Sequence, residues 1–197
     1  MSQITQKTTN IRSKLVIDAY SQWIKKNEKV LDVGCGDGIL AQILQERFSI
    51  NITGCDIDNY LQKVIPFMYM KSRNLLPFSN KSFDIVMFND TLHHMSFLDQ
   101  EKLLKESLRV AKKVLIFEDE PTLIGSFTDW TINKFHSLNM PVTLTFRTHS
   151  AWTALFTKMK LTYEFRQIPK PFFYPFHHQS FMLHQIKNNS GNSQINK

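Results

Sequence analysis

The segment from position 30 to position 38, VLDVGCGDG, places three glycines at alternate positions directly after a run that is typical of a buried strand. Glycine has no Cβ, so Gly34, Gly36 and Gly38 allow a sharp backbone turn and let a ligand approach the main chain closely. The helix-like segment that follows offers free N–H groups at its first turn. This pattern predicts a nucleotide-type binding site at the carboxyl end of a strand.

Two acidic residues and the absence of one glycine distinguish between a dinucleotide and other nucleotide-type ligands. A dinucleotide fingerprint needs a glycine at its sixth position, where this chain has Ile39. Asp32, just before the glycines, suits a cationic amino or sulfonium group better than a phosphate. Asp56 ends a second strand, where a carboxylate can accept both hydroxyls of a ribose. The combination favours S-adenosylmethionine, which has no phosphate and is cationic at its methionine end, over NAD.

Titratable side chains follow two later strands at the same predicted edge of the sheet. His93 and His94 could act as a general base for an acceptor that must lose a proton, or could have a structural or cofactor-facing role. Glu118 and Asp119, followed by Glu120, could orient a cationic or hydroxylated acceptor, or could cap the next helix. His93, His94, Glu118 and Asp119 are therefore the candidate catalytic residues.

The elements that would position these residues alternate between short apolar runs and segments with one apolar helical face. Strands are predicted at 29–33, 51–55, 82–88, 113–117, 161–168 and 181–186, and helices at 39–48, at 98–111 and from near Ser150. The alternation indicates a parallel sheet with helices on both faces. The loop between the last two strands is too short for a parallel crossover, so that pair should be antiparallel.

Composition limits the class of protein. The 197 residues are 42% hydrophobic and 21% charged, which is ordinary for one soluble domain. No apolar run could span a bilayer, the first residues lack a secretory signal, and two cysteines build no disulfide framework. These features predict a cytoplasmic protein.

The net charge of +7 is concentrated at the ends of the chain. Residues 1–29 have six basic and two acidic residues, 158–197 have six and one, and the stretch between them has twelve and fourteen. This distribution favours a generic solvated basic surface over a dedicated nucleic-acid-binding module. Peripheral contact of the basic ends with a membrane or another anionic partner stays open.

Five landmarks now occur in order, and together they carry a family resemblance: VLDVGCGDG, GCDID, LLPFSNKSFDIVMFNDTLHHM, SLRVAKKVLIFEDEP and HSAWTALFTKMKL. From about Lys29 to Phe117 the chain resembles the class I S-adenosylmethionine-dependent methyltransferases of type 11, particularly the branch with ubiquinone and menaquinone biosynthesis enzymes. The resemblance implies an α/β, Rossmann-like, doubly wound sheet of seven strands in the order 3-2-1-4-5-7-6, with strand 7 antiparallel.

The resemblance also implies roles for residues. The glycine turn would wrap the methionine part of the cofactor, with Cys35 contributing only its backbone, and Asn89 would lie beside the sulfonium. Where the family usually has an Asp facing the adenine, this chain has Ser72 followed by Arg73, so a serine hydroxyl and backbone groups would hold that ring. The expected cofactor-binding residues are Asp32, Gly34, Cys35, Gly36, Gly38, Asp56, Ile57, Ser72, Arg73 and Asn89.

We expect a single methyltransferase domain at 1–187, with an N-terminal helical cap at 1–28, a substrate-pocket insertion at 121–150 and a disordered tail at 188–197. Trp130, Phe135 and Phe146 are candidate walls of the acceptor pocket. No metal site is expected, because no Cys/His cluster has ligand spacing and His177 and His178 are assigned to a loop without nearby cysteines.

The predicted function is methyl transfer from S-adenosylmethionine to a small-molecule acceptor that is lipophilic or ring-bearing. Two alternatives remain: an RNA or protein methyltransferase, and a non-catalytic regulatory protein that binds the same cofactor. The mildly acidic central stretch argues against a macromolecular acceptor, as does the sequence Asn-Asp-Thr-Leu at 89–92 in place of an Asn-Pro-Pro-Tyr element. The sequence specifies neither the methylated atom nor the oligomeric state.

Overall fold

The structure, a computed structural model, describes residues 3–121, 145–169, 171–172, 174 and 176–186. Its helices are α1 (Gln3–Tyr20), α2 (Ile39–Phe48), α3 (Phe97–Val110) and α4 (His149–Lys158), with a short 3₁₀ helix at Leu92–His94. Its strands are β1 (Lys29–Val33), β2 (Asn51–Asp56), β3 (Phe67–Tyr69), β4 (Phe83–Asn89), β5 (Ala111–Asp119), β6 (Leu161–Ile168) and β7 (His178–Gln185).

The described strands form one seven-stranded sheet in the order β3-β2-β1-β4-β5-β7-β6, which confirms the predicted order. Strands β1 to β5 pair in parallel, and β7 runs antiparallel to both of its neighbours, as predicted. Asn89 at the end of β4 is in register with Phe117 in β5, and Asp119 at the end of β5 is opposite His178 at the start of β7. The carboxyl ends of β4 and β5 and the first residue of β7 therefore meet at one edge.

Helices cover both faces of this sheet. Apolar side chains of α1 and α2, including Val16, Tyr20 and Leu44, are buried in one core cluster. Side chains of α3 and α4, including Leu104 and Trp152, are buried in a second core cluster. The central strands are consequently buried on both faces, which holds the strand ends in fixed positions.

The structure corrects the predicted start of the last strand. β7 begins at His178, so the assignment of His178 to a loop was wrong. The polar residues Gln179 and Ser180 interrupt the apolar pattern, yet both are buried because they have partners. Ser180 Oγ donates to the carbonyl of Ile116 over 2.9 Å, and Gln179 Nε2 donates to the carbonyl of Arg147 over 2.8 Å.

Two further differences concern the short strand β3 and the boundary between α3 and β5. β3 was not predicted, because three residues are too few to show strand periodicity. α3 ends at Val110 and β5 begins directly at Ala111, so the predicted ends of that helix and of that strand were each displaced by one or two residues.

No helix in the described part of the chain is long and apolar enough to cross a membrane. The proposed tail at 188–197 and most of the segment 121–150, including Trp130 and Phe135, lie outside the described residues.

Candidate functional site

The glycine turn connects β1 to α2 and needs glycine for two different reasons. Gly34 and Gly36 have φ values of 72° and 52°, in the left-handed region that disfavours most other residues. A Cβ on Gly34 would lie 2.3 Å from Cγ2 of Thr91, so the turn packs directly against the end of β4. A Cβ on Gly36 would meet no atom within 4 Å, so this glycine faces open space. The turn is thus closely packed at Gly34 and open to a ligand at Gly36.

That open space belongs to a cavity of about 470 Å³ at the carboxyl ends of β1, β2 and β4. Its walls include most of the predicted cofactor residues and one predicted catalytic residue: Asp32, Gly34, Cys35, Gly36, Asp56, Ile57, Arg73, Asn89 and His94. Five other predicted residues are not among its walls: Gly38, Ser72, His93, Glu118 and Asp119.

Asp32 is a buried carboxylate at the floor of the cavity. It is 3% exposed, and Nδ2 of Asn89 donates to its Oδ1 over 3.1 Å. The hydroxyl of Tyr20 donates to Oδ1 of Asn89 over 3.0 Å and so fixes the orientation of the amide. Burial raises the pKa of Asp32 to about 7, against the opposing effects of the Asn89 hydrogen bond and of Arg12. A cationic ligand group would stabilise the ionised form of this side chain.

Asp56 ends β2 and is held by backbone N–H groups. Gly36 N donates to its Oδ2 over 3.2 Å, and Ile57 N donates to its Oδ1 over 2.7 Å. Burial raises the pKa of Asp56, and these two hydrogen bonds oppose the rise. The carboxylate is therefore fixed at the cavity wall and can accept hydrogen bonds from vicinal hydroxyls of a ligand.

Further walls of the cavity are formed by Ile57, Tyr60, Met70 and Arg73. Nη1 of Arg73 donates to the carbonyl of His94 over 3.1 Å, which places the guanidinium at the cavity. The exposed Ser72 instead directs its hydroxyl to Oδ1 of Asn74 at 3.3 Å. Of the two residues that replace the usual acid, the structure brings only Arg73 to the cavity.

His93 and Glu118 form a buried pair next to the cavity. Nδ1 of His93 lies 2.7 Å from Oε2 of Glu118, and the backbone N–H groups of Thr91 and Leu92 donate to Oε1 over 2.8 and 2.6 Å. Glu118 thereby caps the short 3₁₀ helix. Phe146 stacks on His93 with ring centroids 4.8 Å apart and is not a cavity wall. This geometry favours the structural alternative for His93 and Glu118.

His94 lines the cavity and has a different electrostatic character. Burial lowers its pKa to about 4, and the neighbouring His93 adds to this effect. The imidazole is therefore neutral near pH 7 and binds a proton weakly. Such a group can accept a hydrogen bond from a methyl-accepting substrate. It is a poor general base, because proton transfer to it is unfavourable.

Arg12 and Asp90 are cavity residues that the sequence analysis missed. Nε of Arg12 donates to Oδ2 of Asp90 over 2.6 Å, and its Nη2 donates to the carbonyl of Asn89 over 2.9 Å. Asp90 directly follows Asn89, so an argument from the ends of the strands could have found it. Arg12 lies on α1, in a segment without a site pattern, and only the packing of α1 on the sheet brings it here.

Comparisons with known proteins agree with this architecture. Residues 31–116 match the family described as the methyltransferase domain. The ribosomal RNA-processing protein 8 of Dictyostelium discoideum is 30% identical over 130 residues, which are 58% of this chain and 28% of that protein. The ribosomal protein L11 methyltransferase of Aquifex aeolicus is 28% identical over 137 residues, or 64% and 50%. This chain thus spans half or less of the length of these two relatives.

Solved structures share the fold at low identity. A chain from a complex of the Haloferax volcanii Trm112 methyltransferase activator with a methyltransferase has a TM-score of 0.70 at 15% identity, covering 91% of each chain. Geranyl diphosphate C-methyltransferase from Streptomyces coelicolor has a TM-score of 0.64 at 10% identity, covering 92% of this chain and 82% of that one. The finer resemblance to the ubiquinone and menaquinone branch is not confirmed.

Proposed function

We propose that this chain, a class I S-adenosylmethionine-dependent methyltransferase by its matched domain and its sheet topology, transfers a methyl group to a small-molecule acceptor. The observation that carries the proposal is the cavity at the ends of β1, β2 and β4, which brings the glycine turn, Asp32, Asp56 and Asn89 together. Bound S-adenosylmethionine supplies an electrophilic methyl group on a sulfonium. The protein's task is then to hold donor and acceptor in line.

The proposed cofactor contacts follow from the chemistry of each wall. The buried Asp32 is suited to the cationic amino group, and Asp56 to the two ribose hydroxyls. The open position at Gly36 lets the ligand approach the backbone of the turn. The apolar Ile57 and Met70 with Arg73 would hold the adenine, since a guanidinium plane stacks on aromatic rings.

The acceptor would occupy the end of the cavity near Arg12, Asp90 and His94. The bonds of Arg12 to Asp90 and Asn89 connect α1 to the end of β4, so the first helix covers this side of the cavity. A cavity walled on this side by a helix supports a small acceptor over a macromolecular one. The cytoplasmic location expected from the sequence stays a prediction.

Two measurements test this function. Calorimetry should show one S-adenosylmethionine or S-adenosylhomocysteine bound per chain and no appreciable binding of NAD. Incubation with methyl-labelled cofactor should then label the metabolite fraction of a cell extract, with products 14 Da heavier, and leave the RNA and protein fractions unlabelled. This mass difference is the net gain of one CH₂, because a methyl group replaces a hydrogen.

The other outcomes separate the alternatives. Label found only in RNA or in protein would replace the small-molecule proposal with a macromolecular one. Tight cofactor binding without label in any fraction would favour the non-catalytic regulatory protein. Binding of NAD in place of S-adenosylmethionine would contradict the assignment of the cavity itself.

Cofactor affinity should depend on pH through Asp32. Its pKa is about 7 in the free protein, and a cationic group beside it would lower that value, so protons compete with the cofactor. Affinity should therefore be nearly full above about pH 8 and fall as the pH falls through 7, by about 25-fold between pH 7.5 and 5.5. Calorimetry in buffers of different ionisation enthalpy measures both the affinity and the released proton.

Asp32→Asn should bind the cofactor more weakly and should lose most of this pH dependence. Asp18→Asn changes an exposed acid of α1 and is the matched control, which should keep both the affinity and its slope. An unchanged slope in Asp32→Asn would show that another group titrates.

A further inference from the structure

Three buried polar atoms converge beside the cavity at the edge where β4, β5 and β7 meet. They are Oδ1 of Asp90, Oδ1 of Asp119 and Nδ1 of His178, and all three lie within 4.8 Å of one another. The register of the sheet places them there, because Asp119 is opposite His178 and Asp90 directly follows β4. Asp119 and His178 are not walls of the cavity, whereas Asp90 lines the end proposed for the acceptor.

The contacts among these atoms are short, and the contact between His178 and Asp119 is at ion-pair distance. Nδ1 of His178 lies 2.7 Å from Oδ1 of Asp119 and 3.8 Å from Oδ1 of Asp90. Nevertheless, none of the three atoms makes a hydrogen bond within the described part of the chain. The Asp119 oxygen therefore lies off the in-plane direction of Nδ1. His178 is only 3% exposed, so a buried nitrogen points between two carboxylates without an in-line partner.

This spacing is that of ligands around a shared ion. A divalent ion lies about 2.0–2.2 Å from the carboxylate oxygens and the imidazole nitrogen that bind it. Neighbouring ligand atoms are then about 3 Å apart. Their lone pairs point at the ion and not at each other. The distances of 2.7 and 3.8 Å lie on either side of that value. Modest side-chain rotations would centre the three atoms on one ion.

The surroundings of His178 also suit a ligand. Its Nε2 lies 3.2 Å from the hydroxyl of Tyr174, which can accept a hydrogen bond from Nε2–H and so leave the lone pair on Nδ1. Metal-bound histidines commonly use such a partner to fix the tautomer. The ring also stacks on Phe117 at 4.4 Å, which holds its plane.

The charge of the three residues and their access from the cavity also favour a bound cation. Arg12 bonds to Oδ2 of Asp90 and leaves Oδ1 free to bind an ion. Two carboxylates and one guanidinium leave one negative charge uncompensated when His178 is neutral. Asp90 also lines the cavity, which gives an ion a route to the site.

We propose that Asp90, Asp119 and His178 form a binding site for one divalent transition-metal ion of the Mn²⁺ and Zn²⁺ class. The mixed set of two carboxylates and one imidazole matches the ligand preferences of these ions better than those of Mg²⁺ or Ca²⁺, which prefer oxygen alone. The site goes beyond the proposed methyl transfer and does not depend on it. It replaces the sequence-based expectation of no metal, which rested on the lack of a Cys/His cluster with ligand spacing and on placing His178 in a loop.

Calorimetric titration of chelator-treated protein with MnCl₂ and with ZnCl₂, without cofactor or acceptor, tests the site. The wild type should bind one ion per chain, and MgCl₂ should bind at least 10-fold more weakly. His178→Asn and Asp119→Asn should each weaken binding of the preferred ion at least 100-fold. His177→Asn and Glu120→Gln alter the adjacent exposed histidine and the adjacent acid, and both should bind as the wild type does.

Thermal melting of each variant without metal keeps the result interpretable if a substitution affects folding. The wild type and both controls should gain melting temperature on addition of the preferred ion, and the two ligand variants should not. No one-to-one binding by the wild type would overturn the proposal and leave the cluster as a charge-balanced network with an imidazolium. Equal loss of binding in His177→Asn would overturn it too. Because the readout is metal binding, failure here leaves the methyltransferase proposal intact, and failure of methyl transfer leaves this site untouched.

Discussion

Calorimetry on the Gly36→Asn variant should show an affinity for S-adenosylmethionine lowered by about 100-fold or more. Asparagine tolerates the left-handed backbone at φ 52°, so the turn should keep its shape. A Cβ at this position meets no protein atom within 4 Å, so the added side chain would extend into the cavity where the ligand is expected. Crowding of a packed site costs about 1–3 kcal/mol or more, and about 2.8 kcal/mol corresponds to 100-fold.

The matched control for this variant is Lys160→Asn. Lys160 has a similar backbone conformation, with φ 55°, and lies in an exposed turn remote from the cavity. Its variant should bind the cofactor as the wild type does, and both variants should melt close to the wild-type temperature. If Gly36→Asn retains its affinity and its melting temperature, the glycine turn does not contact the cofactor and the site has been misplaced.

The parts of the site that the sequence predicted share one property: they depend on local order along the chain. A strand, a turn of glycines and a helix follow one another between positions 29 and 48, and the structure has these elements at the predicted positions. Asp32 and Asp56 were found in the same way, because each lies in or at the end of a recognisable buried strand, whereas Asn89 was expected from the family resemblance.

The parts that the sequence did not predict depend on packing between distant segments. Arg12 reaches the cavity because α1 packs on the sheet, and nothing in the local pattern of α1 indicates this. The placement of His178 failed because three polar residues in a row argue against a strand unless their buried partners are known. Ser72 and Arg73 were both found by counting along the chain, and the structure brings Arg73 to the cavity together with Met70, which was not predicted.

The second large effect is expected at Glu118, where a structural role and a catalytic role predict different results for the variants. Glu118→Ala would remove the acceptor of the N–H groups of Thr91 and Leu92 and the carboxylate that Nδ1 of His93 contacts. The loss should cost about 3–5 kcal/mol, because each buried donor that loses its acceptor costs about 1–3 kcal/mol. The free energy of unfolding, measured by denaturant titration, should fall by about that amount, which is a large share of the roughly 5–15 kcal/mol of a typical domain.

Glu118→Gln separates the two roles of this side chain even if the alanine variant unfolds. The amide oxygen of glutamine can still accept from Thr91 and Leu92, so a capping role predicts recovery of most of the stability together with most of the turnover. A catalytic role predicts that Glu118→Gln stays folded but loses turnover by about 100-fold or more, because the amide cannot take a proton. Glu120→Ala, two residues along, should change the stability by only about 0.5 kcal/mol. Since Thr91 also lines the cavity, a structural Glu118 still supports the site by holding the backbone that carries this wall.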